Sequence, residues 1–316
     1  MSHWLKIEER GIIWGMQLLL KVYLFFGRTV LRVLLYPAVS FYWLIHGKAR
    51  RASLQYLQRL ANFQQENAVE DRHAAGFFSS YQHFISFANA LIDKLAAWTG
   101  SLNLKDVEYH GHEAIMAQMN KGQGVLILGS HLGNLEVCRV IVNMRENVTI
   151  NILVHTKRAE QFNTLLNQYA DTERLKLIHV SDINAVTAMM LQDKIEAGEL
   201  IIMAADRPPV SGRQRIARAD FLGHPAYFPQ GPFILALLLK CPVYTLFCLK
   251  QKGRQVIYFD HFSDGLSFSR KERTAAIEQC VQEYAAQLQH YCLTAPLQWF
   301  NFYDFWQPMD DKAGGE

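Results

Sequence analysis

A chain of 316 residues, half of them hydrophobic and 12% aromatic, can bury a large core, which excludes a protein disordered along most of its length. Its 32 basic and 29 acidic residues leave a net charge of +3, too even a balance for a general nucleic-acid binder. Five cysteines (Cys138, Cys241, Cys248, Cys280 and Cys292), odd in number, without a CxxC and mostly in apolar runs, read as reduced thiols of a cytosolic domain.

Residues 11 to 46 are dominated by apolar and aromatic side chains. Arg10, Gln17, Lys21, Arg28 and Arg32 interrupt the pattern at spacings of 7, 4, 7 and 4, which places all five on one stripe of a helix about 33 Å long. A cationic stripe on an otherwise apolar helix predicts an anchor lying at a membrane interface. The longest charge-free run, Val33 to Ile45, has 13 residues and contains Pro37, short of the roughly 18 that a spanning helix needs. A single span with snorkelling cations and a core helix whose stripe faces solvent are the other two readings. No cleavable signal peptide is expected, because Glu8 and Glu9 precede the apolar run and no small-residue cleavage site follows it cleanly. Gly47-Lys48-Ala49-Arg50-Arg51 comes next. Basic residues beside a membrane segment mark the cytoplasmic side and favour anionic lipid; a solvated turn is the plainer reading.

Helices are predicted over 52–67 and 74–98. The second carries Phe77, Phe78, Tyr81, Phe84, Ile85, Ala88, Leu91, Ile92, Leu95 and Trp98 at helical spacing, a stripe read as core rather than as an acyl groove. From residue 105 the pattern alternates. Strands are expected at 107–110, 125–128, 148–155, 175–180, 200–206, 243–250 and 255–259, with helices over 111–120, 158–171, 184–197, 231–240 and 270–291. This is an α/β fold with a mostly parallel or mixed sheet covered by helices, behind an N-terminal membrane-associated helical segment. The expected organisation is an anchor with its basic flank (1–51), a helical region packing on the catalytic domain (52–104), the α/β domain (105–308) and a frayed tail (309–316).

The stretch Val125-Leu126-Ile127-Leu128-Gly129-Ser130-His131 puts a histidine just past the carboxyl end of a buried strand, the edge where open α/β sheets bind ligands. Leu132 to Arg139 is expected to be helical. Glu136, five residues after His131, can fold back toward the imidazole, as a carboxylate that orients a base must. The bland reading is a capping or hydrogen-bonded core histidine. Gly129 and Gly133 crowd one turn and point instead to a close approach. Asp206 and Arg207 end another expected strand and can share that edge, as candidates to contact substrate. Pro208 and Pro209 then stop the chain, and a long connection to about residue 230 carries Arg213, Arg215 and Arg218. Loops longer than about 12 to 15 residues in a compact domain are usually functional or disordered, against a plain solvated basic loop. His155 and His179 lack an acidic partner at ligand spacing and read as structural, so no metal is expected. Trp299 to Trp306, six aromatics in eight residues, reads as core closure rather than as an aromatic belt.

His131-x4-Glu136 after an apolar strand resembles the HX4D/E motif of the lysophospholipid acyltransferase superfamily, and more closely its lipid A late acyltransferase branch. Three further stretches are similar: Ala205-Asp206-Arg207, Phe221 to Pro232, and Trp299 to Trp306. Together they cover roughly residues 105 to 306. The acid is Glu where glycerolipid enzymes commonly have Asp, and Phe228-Pro229-Gln230-Gly231-Pro232 stands where a Phe-Pro-Glu-Gly-Thr-Arg phosphate block would, which counts against glycerol 3-phosphate as acceptor. The resemblance implies an enzyme of the bacterial inner membrane, catalytic domain on the cytoplasmic side, that moves a fatty acyl group from acyl carrier protein or coenzyme A to a hydroxyl or amine of a lipid or glycolipid. It requires no cofactor and no metal. On that reading His131 and Glu136 form the base pair and Arg207 faces the developing oxyanion or a donor phosphate. Opposite charge, rather than the resemblance, suggests that Arg213, Arg215 and Arg218 dock the acidic carrier protein, against contacts to lipid phosphates or a solvated loop. A phosphate- or sugar-transferring α/β enzyme is the alternative, although Walker and GxGxxG loops are missing. A catalytically inactive membrane-docking protein is another, although the pair is intact.

Overall fold

A computed structural model of the chain describes residues 3–69, 72–99, 101, 107–135, 148–154, 174–180, 184–207 and 216–307. The described strands are β1 (Val107–His110), β2 (Val125–Gly129), β3 (Ile150–Val154), β4 (Leu175–His179), β5 (Leu200–Ala204), β6 (Ile216–Phe221), β7 (His224–Pro229), β8 (Val243–Gln251) and β9 (Arg254–Ser263). Seven of them form one sheet in the order β1-β9-β8-β2-β5-β3-β4, with β6 and β7 paired separately. Every pairing in the large sheet is parallel except β8 with β9. That hairpin closes through Lys252 and Gly253, both at positive φ, the backbone that matches the right-handed twist of paired strands.

The described helices are α1 (His3–Ile45), α2 (Gly47–Glu66), α3 (Phe77–Trp98), α4 (His112–Asn120), α5 (Ala185–Glu196), α6 (Gly231–Leu239) and α7 (Arg273–Thr294). Strand β2 explains how they are layered. Val125 to Leu128 are all fully buried and point alternately to opposite faces. Leu126 and Leu128 join Tyr56, Leu57 and Leu60 of α2 and residues of α5, α6 and α7 in one core cluster. Val125 and Ile127 join Ile115 and Met119 of α4 in the other. A strand covered on both faces needs an unbroken apolar run, which is what the sequence carries.

Three expectations are corrected. Leu132 does not begin a helix: Leu132 bridges Trp299 and Gly133 bridges Cys248, with Gly133 at positive φ, and residues 136 to 139 of the expected helix lie outside the described residues. The connection from Arg207 to residue 230 is not one long loop, because β6 and β7, six residues each, form an antiparallel hairpin there, turning at Leu222 and Gly223, both at positive φ. Arg218 lies exposed on β6, whereas Arg213 and Arg215 lie outside the described residues. The long N-terminal helix is broken at Gly27 (φ 75°, ψ −175°), so the five-residue stripe is not continuous on one straight rod.

The break changes which face of α1 meets solvent. Leu20, Tyr23, Leu31 and Leu35 pack on Ile92, Leu95 and Ala96 of α3, and Arg28 pairs with the buried Asp93 of α3. Phe25, Phe26 and Val33 are 81%, 66% and 65% exposed. The exposed face of the described part of α1 is largely apolar, with Lys21 and Arg28 also exposed on it, and Arg28 reaches from that surface to Asp93. Arg50 caps α1 rather than forming a free basic turn: its Nη1 donates to the carbonyls of Trp43 and Leu44 at 2.9 Å each. Among the described residues no helix is long and apolar enough to cross a membrane. The aromatic stripe of α3 is split. Phe84, Ala88, Ile92 and Leu95 are core, while Phe77 and Phe78 are exposed.

Candidate active site

Strands β2 and β5 are parallel neighbours with Gly129 opposite Ala204. Two residues beyond each end stand His131 and Asp206, so strand register alone brings them face to face. Asp206 Oδ1 accepts from His131 Nδ1 at 2.7 Å, and Oδ2 accepts from the His131 amide at 2.8 Å. The Trp299 indole Nε1 also donates to Oδ2, at 3.0 Å. Asp206 is wholly buried. Burial pushes its pKa up, but the facing His131 ring, the hydrogen bonds from His131 and nearby Arg207 together hold the carboxyl below its ordinary range.

A carboxylate can only accept, so Nδ1 carries the proton. In the neutral ring Nε2 is then the bare lone pair. The imidazole is 35% exposed, and among the described residues nothing is bonded to Nε2. A buried anion behind Nδ1 and an accessible base at Nε2 form the arrangement that deprotonates a hydroxyl or amine.

The backbone around the histidine is fixed from two sides. The Phe300 amide donates to the His131 carbonyl at 3.0 Å, and the Gly133 amide to the Gln298 carbonyl at 2.8 Å. The Asn134 amide donates to the Cys248 carbonyl at 2.9 Å. Behind Trp299, His83 Nε2 donates to the Trp299 carbonyl at 2.9 Å, and its Nδ1 accepts from the Ser53 hydroxyl at 3.0 Å. Burial lowers the His83 pKa to about 4 against the opposing pull of that carbonyl, so this ring is neutral in neutral solution. Tyr284 donates to the Gly129 carbonyl at 2.7 Å, where β2 ends.

The expected site residues are therefore distributed as follows. His131 and Asp206 meet directly. The Asp206 oxygens, expected to contact substrate, already accept three hydrogen bonds from within the protein. Arg207 is exposed beside them, and its Nη2 donates to the Phe300 carbonyl at 2.8 Å. Glu136, Arg213 and Arg215 lie outside the described residues, as does His155; His179 ends β4 at the far edge of the sheet. Trp299 was legible only as part of an aromatic cluster, and nothing in its spacing signalled an indole N–H aimed at a carboxylate. Among the described residues no group of three His, Cys, Asp or Glu could hold a metal ion.

The family model for bacterial lipid A biosynthesis acyltransferases matches residues 73–307, which spans α3, the whole sheet and the Trp299 segment. The chain belongs to this family. It is an acyltransferase that acts on a lipid-type acceptor, and the phosphate-transfer, sugar-transfer and inactive-scaffold readings are set aside. No curated protein matches the chain. Within this lipid A acyltransferase family the matched residues include both His131 and Asp206, so the pair belongs to the part of the chain that carries the resemblance.

Proposed function

We propose that this protein transfers a fatty acyl group from a thioester, carried by acyl carrier protein or coenzyme A, to a hydroxyl or amine of a lipid or glycolipid at the bacterial inner membrane. The observation that carries this reading is the contact of His131 Nδ1 with the buried, ionised Asp206, which leaves Nε2 free as a base. Nε2 takes the acceptor's proton as its oxygen or nitrogen attacks the thioester carbonyl. The tetrahedral intermediate then expels the thiolate, and the imidazolium returns the proton to the sulfur. Asp206 stabilises the imidazolium between the two steps. The exposed guanidinium of Arg207 faces the developing oxyanion or a donor phosphate. Glu136, the motif acid five residues along the sequence from His131, lies outside the described residues. No cofactor or metal is needed for these steps.

His131→Ala is expected to reduce transfer by about 10²- to 10⁴-fold without a large change in thermal stability, because a positioned base contributes that much and the ring lies at an edge. Thioester consumption with a lipid acceptor, read beside a melting curve, checks it; a stable variant within about threefold of the parent rate would remove His131 as the base.

Membrane association is proposed through the apolar face of α1, with the domain on the cytoplasmic side as the basic residues after Ile45 suggest. Deleting the segment is a poor test, since Leu31, Leu35 and Trp43 are part of the core. Phe25→Glu with Phe26→Glu changes only exposed side chains. This double variant is expected to lower partition onto lipid vesicles by at least about tenfold. Unchanged flotation would place the membrane contact elsewhere.

Arg213 and Arg215 are proposed to dock the acidic carrier protein, the exposed Arg218 extending the same charge. Arg213→Glu with Arg215→Glu should raise KM for a carrier-protein donor about fivefold to tenfold with little change in kcat. The effect should shrink as salt rises, since the Debye length is about 8 Å at physiological ionic strength. Equal losses with a small soluble thioester would contradict docking.

A further inference from the structure

A cavity of about 670 Å³ opens between α1, α3 and the sheet edge. Gly133, Asn134 and Phe300 form part of its wall. His131 precedes Gly133 by two residues, so its Cα lies within about 7 Å of that wall. The cavity's outer part is apolar, with Phe78, Tyr81 and Ile85 from α3. Its other side is charged. Asp93, 3% exposed, accepts from Arg28, from Lys250 Nζ at 2.6 Å and from Gln255 Nε2 at 3.1 Å, and Arg32 lines the same space. Two cations, Arg28 and Lys250, thus share the one carboxylate of Asp93, and Arg32 adds a third positive charge to the cavity wall.

Two buried atoms on this side have no hydrogen-bond partner among the described residues: Arg32 Nε, a donor, and Gln255 Oε1, an acceptor on a side chain only 5% exposed. An alkyl chain filling the cavity would leave both unpaired and would strip water from the cations, which is costly. An oxyanion satisfies Arg32 and offsets the surplus positive charge. A hydroxyl or amine beside that oxyanion satisfies Gln255.

We propose that this cavity seats the head of the acceptor: a phosphate group with a hydroxyl or amine next to it, held by Arg32, Lys250 and Gln255 so that the reacting group reaches His131. The assignment rests on the reading of His131 as the acceptor's base. The same chemistry is present in the donor, whose phosphopantetheine arm also carries a phosphate. The geometry favours the lipid, because the apolar wall from Phe78, Tyr81 and Ile85 of α3 suits the first carbons of its chains.

The test is binding by the full-length protein in uncharged detergent micelles, with no thioester present, so that the outcome does not depend on whether His131 is the base. The probes are a lysophosphatidate, a monoacylglycerol of the same chain length and free phosphopantetheine. The parent should bind the lysophosphatidate at least about tenfold more tightly than the monoacylglycerol. Arg32→Gln should bring the two lipids within about threefold, and Arg32→Lys, which keeps the charge, should retain most of the preference. The proposal is overturned if the parent binds both lipids equally, or if Arg32→Gln keeps the tenfold preference. It is equally overturned if phosphopantetheine is the probe whose binding depends on Arg32, since the cavity would then serve the donor.

Discussion

Asp206→Asn is expected to lower acyl transfer by about 10³- to 10⁴-fold, more than Glu136→Gln. The reason lies in which atoms donate. Three N–H groups point at the carboxylate: His131 Nδ1 at one oxygen, the His131 amide and Trp299 Nε1 at the other. An asparagine can keep its one oxygen where two donors converge. Its NH2 then faces Nδ1, which must give up its proton to accept. The remaining proton sits on Nε2, and the ring presents a donor where the reaction needs a base. The opposite amide rotamer sets the NH2 against two N–H groups and is worse. The same pair gives a pH signature. The folded-state pKa of Asp206 is depressed, so its contribution to stability is fully present above the ordinary carboxylate range and is lost as pH falls through the lowered value. The stability gap between parent and variant, read from urea midpoints, should be widest near neutral pH and should close in acid. A variant that transfers at near the parent rate, or a gap that stays constant into acid, would remove Asp206 from this role. If Glu136→Gln proves the more damaging change, the motif acid is the principal partner of His131.

Much of this site was legible in the sequence because buried parallel strands announce themselves. Val125 to Leu128 and Leu200 to Met203 are unbroken apolar runs, and a polar residue just past such a run must fall at the ligand-binding edge. Which two edge residues touch was not legible. That depends on β5 inserting beside β2 rather than β3 doing so, a choice made by packing 75 residues away. Reading along the chain found the acid nearest in sequence, Glu136; reading across the sheet finds Asp206. The β6–β7 hairpin escaped for a different reason. Arg218 and Asp220 alternate with the buried Ala217, Ala219 and Phe221 as a half-buried strand requires, but the run is short and rich in alanine, a weak strand former, and the prolines at 225 and 229 argue against a strand in its partner. In α1 the periodicity placed five polar residues on one stripe correctly for an unbroken helix, but a single glycine at positive φ resets the phase.

Gly133→Ala is expected to be the most damaging small substitution near the site. At φ 72° an alanine is already strained. Its Cβ would stand 1.8 Å from the Cys248 carbonyl oxygen and 2.7 Å from the carbonyl carbon. Both are backbone atoms of β8, in the interior of the sheet, so no side chain can swing aside. Relief would require pulling the two segments apart. That would break the Asn134 amide bond to the Cys248 carbonyl and the Gly133 amide bond to the Gln298 carbonyl. The expected cost is about 3 kcal/mol or more, a fall in melting temperature of about 10 °C in a domain of this size. Protein that still folds should transfer at least about 100-fold more slowly, because His131 is two residues away and a misplacement of about 1 Å costs that much. Gly253→Ala separates the two contributions. That glycine also has positive φ, at 82°, but nothing lies within 4 Å of its added methyl, so only the backbone strain remains, about 1 kcal/mol. Melting curves and transfer rates of the two variants side by side decide the matter. Equal melting shifts would mean that the close approach of Gly133 to β8 does not constrain the chain, and normal transfer by Gly133→Ala would mean that this segment does not position His131.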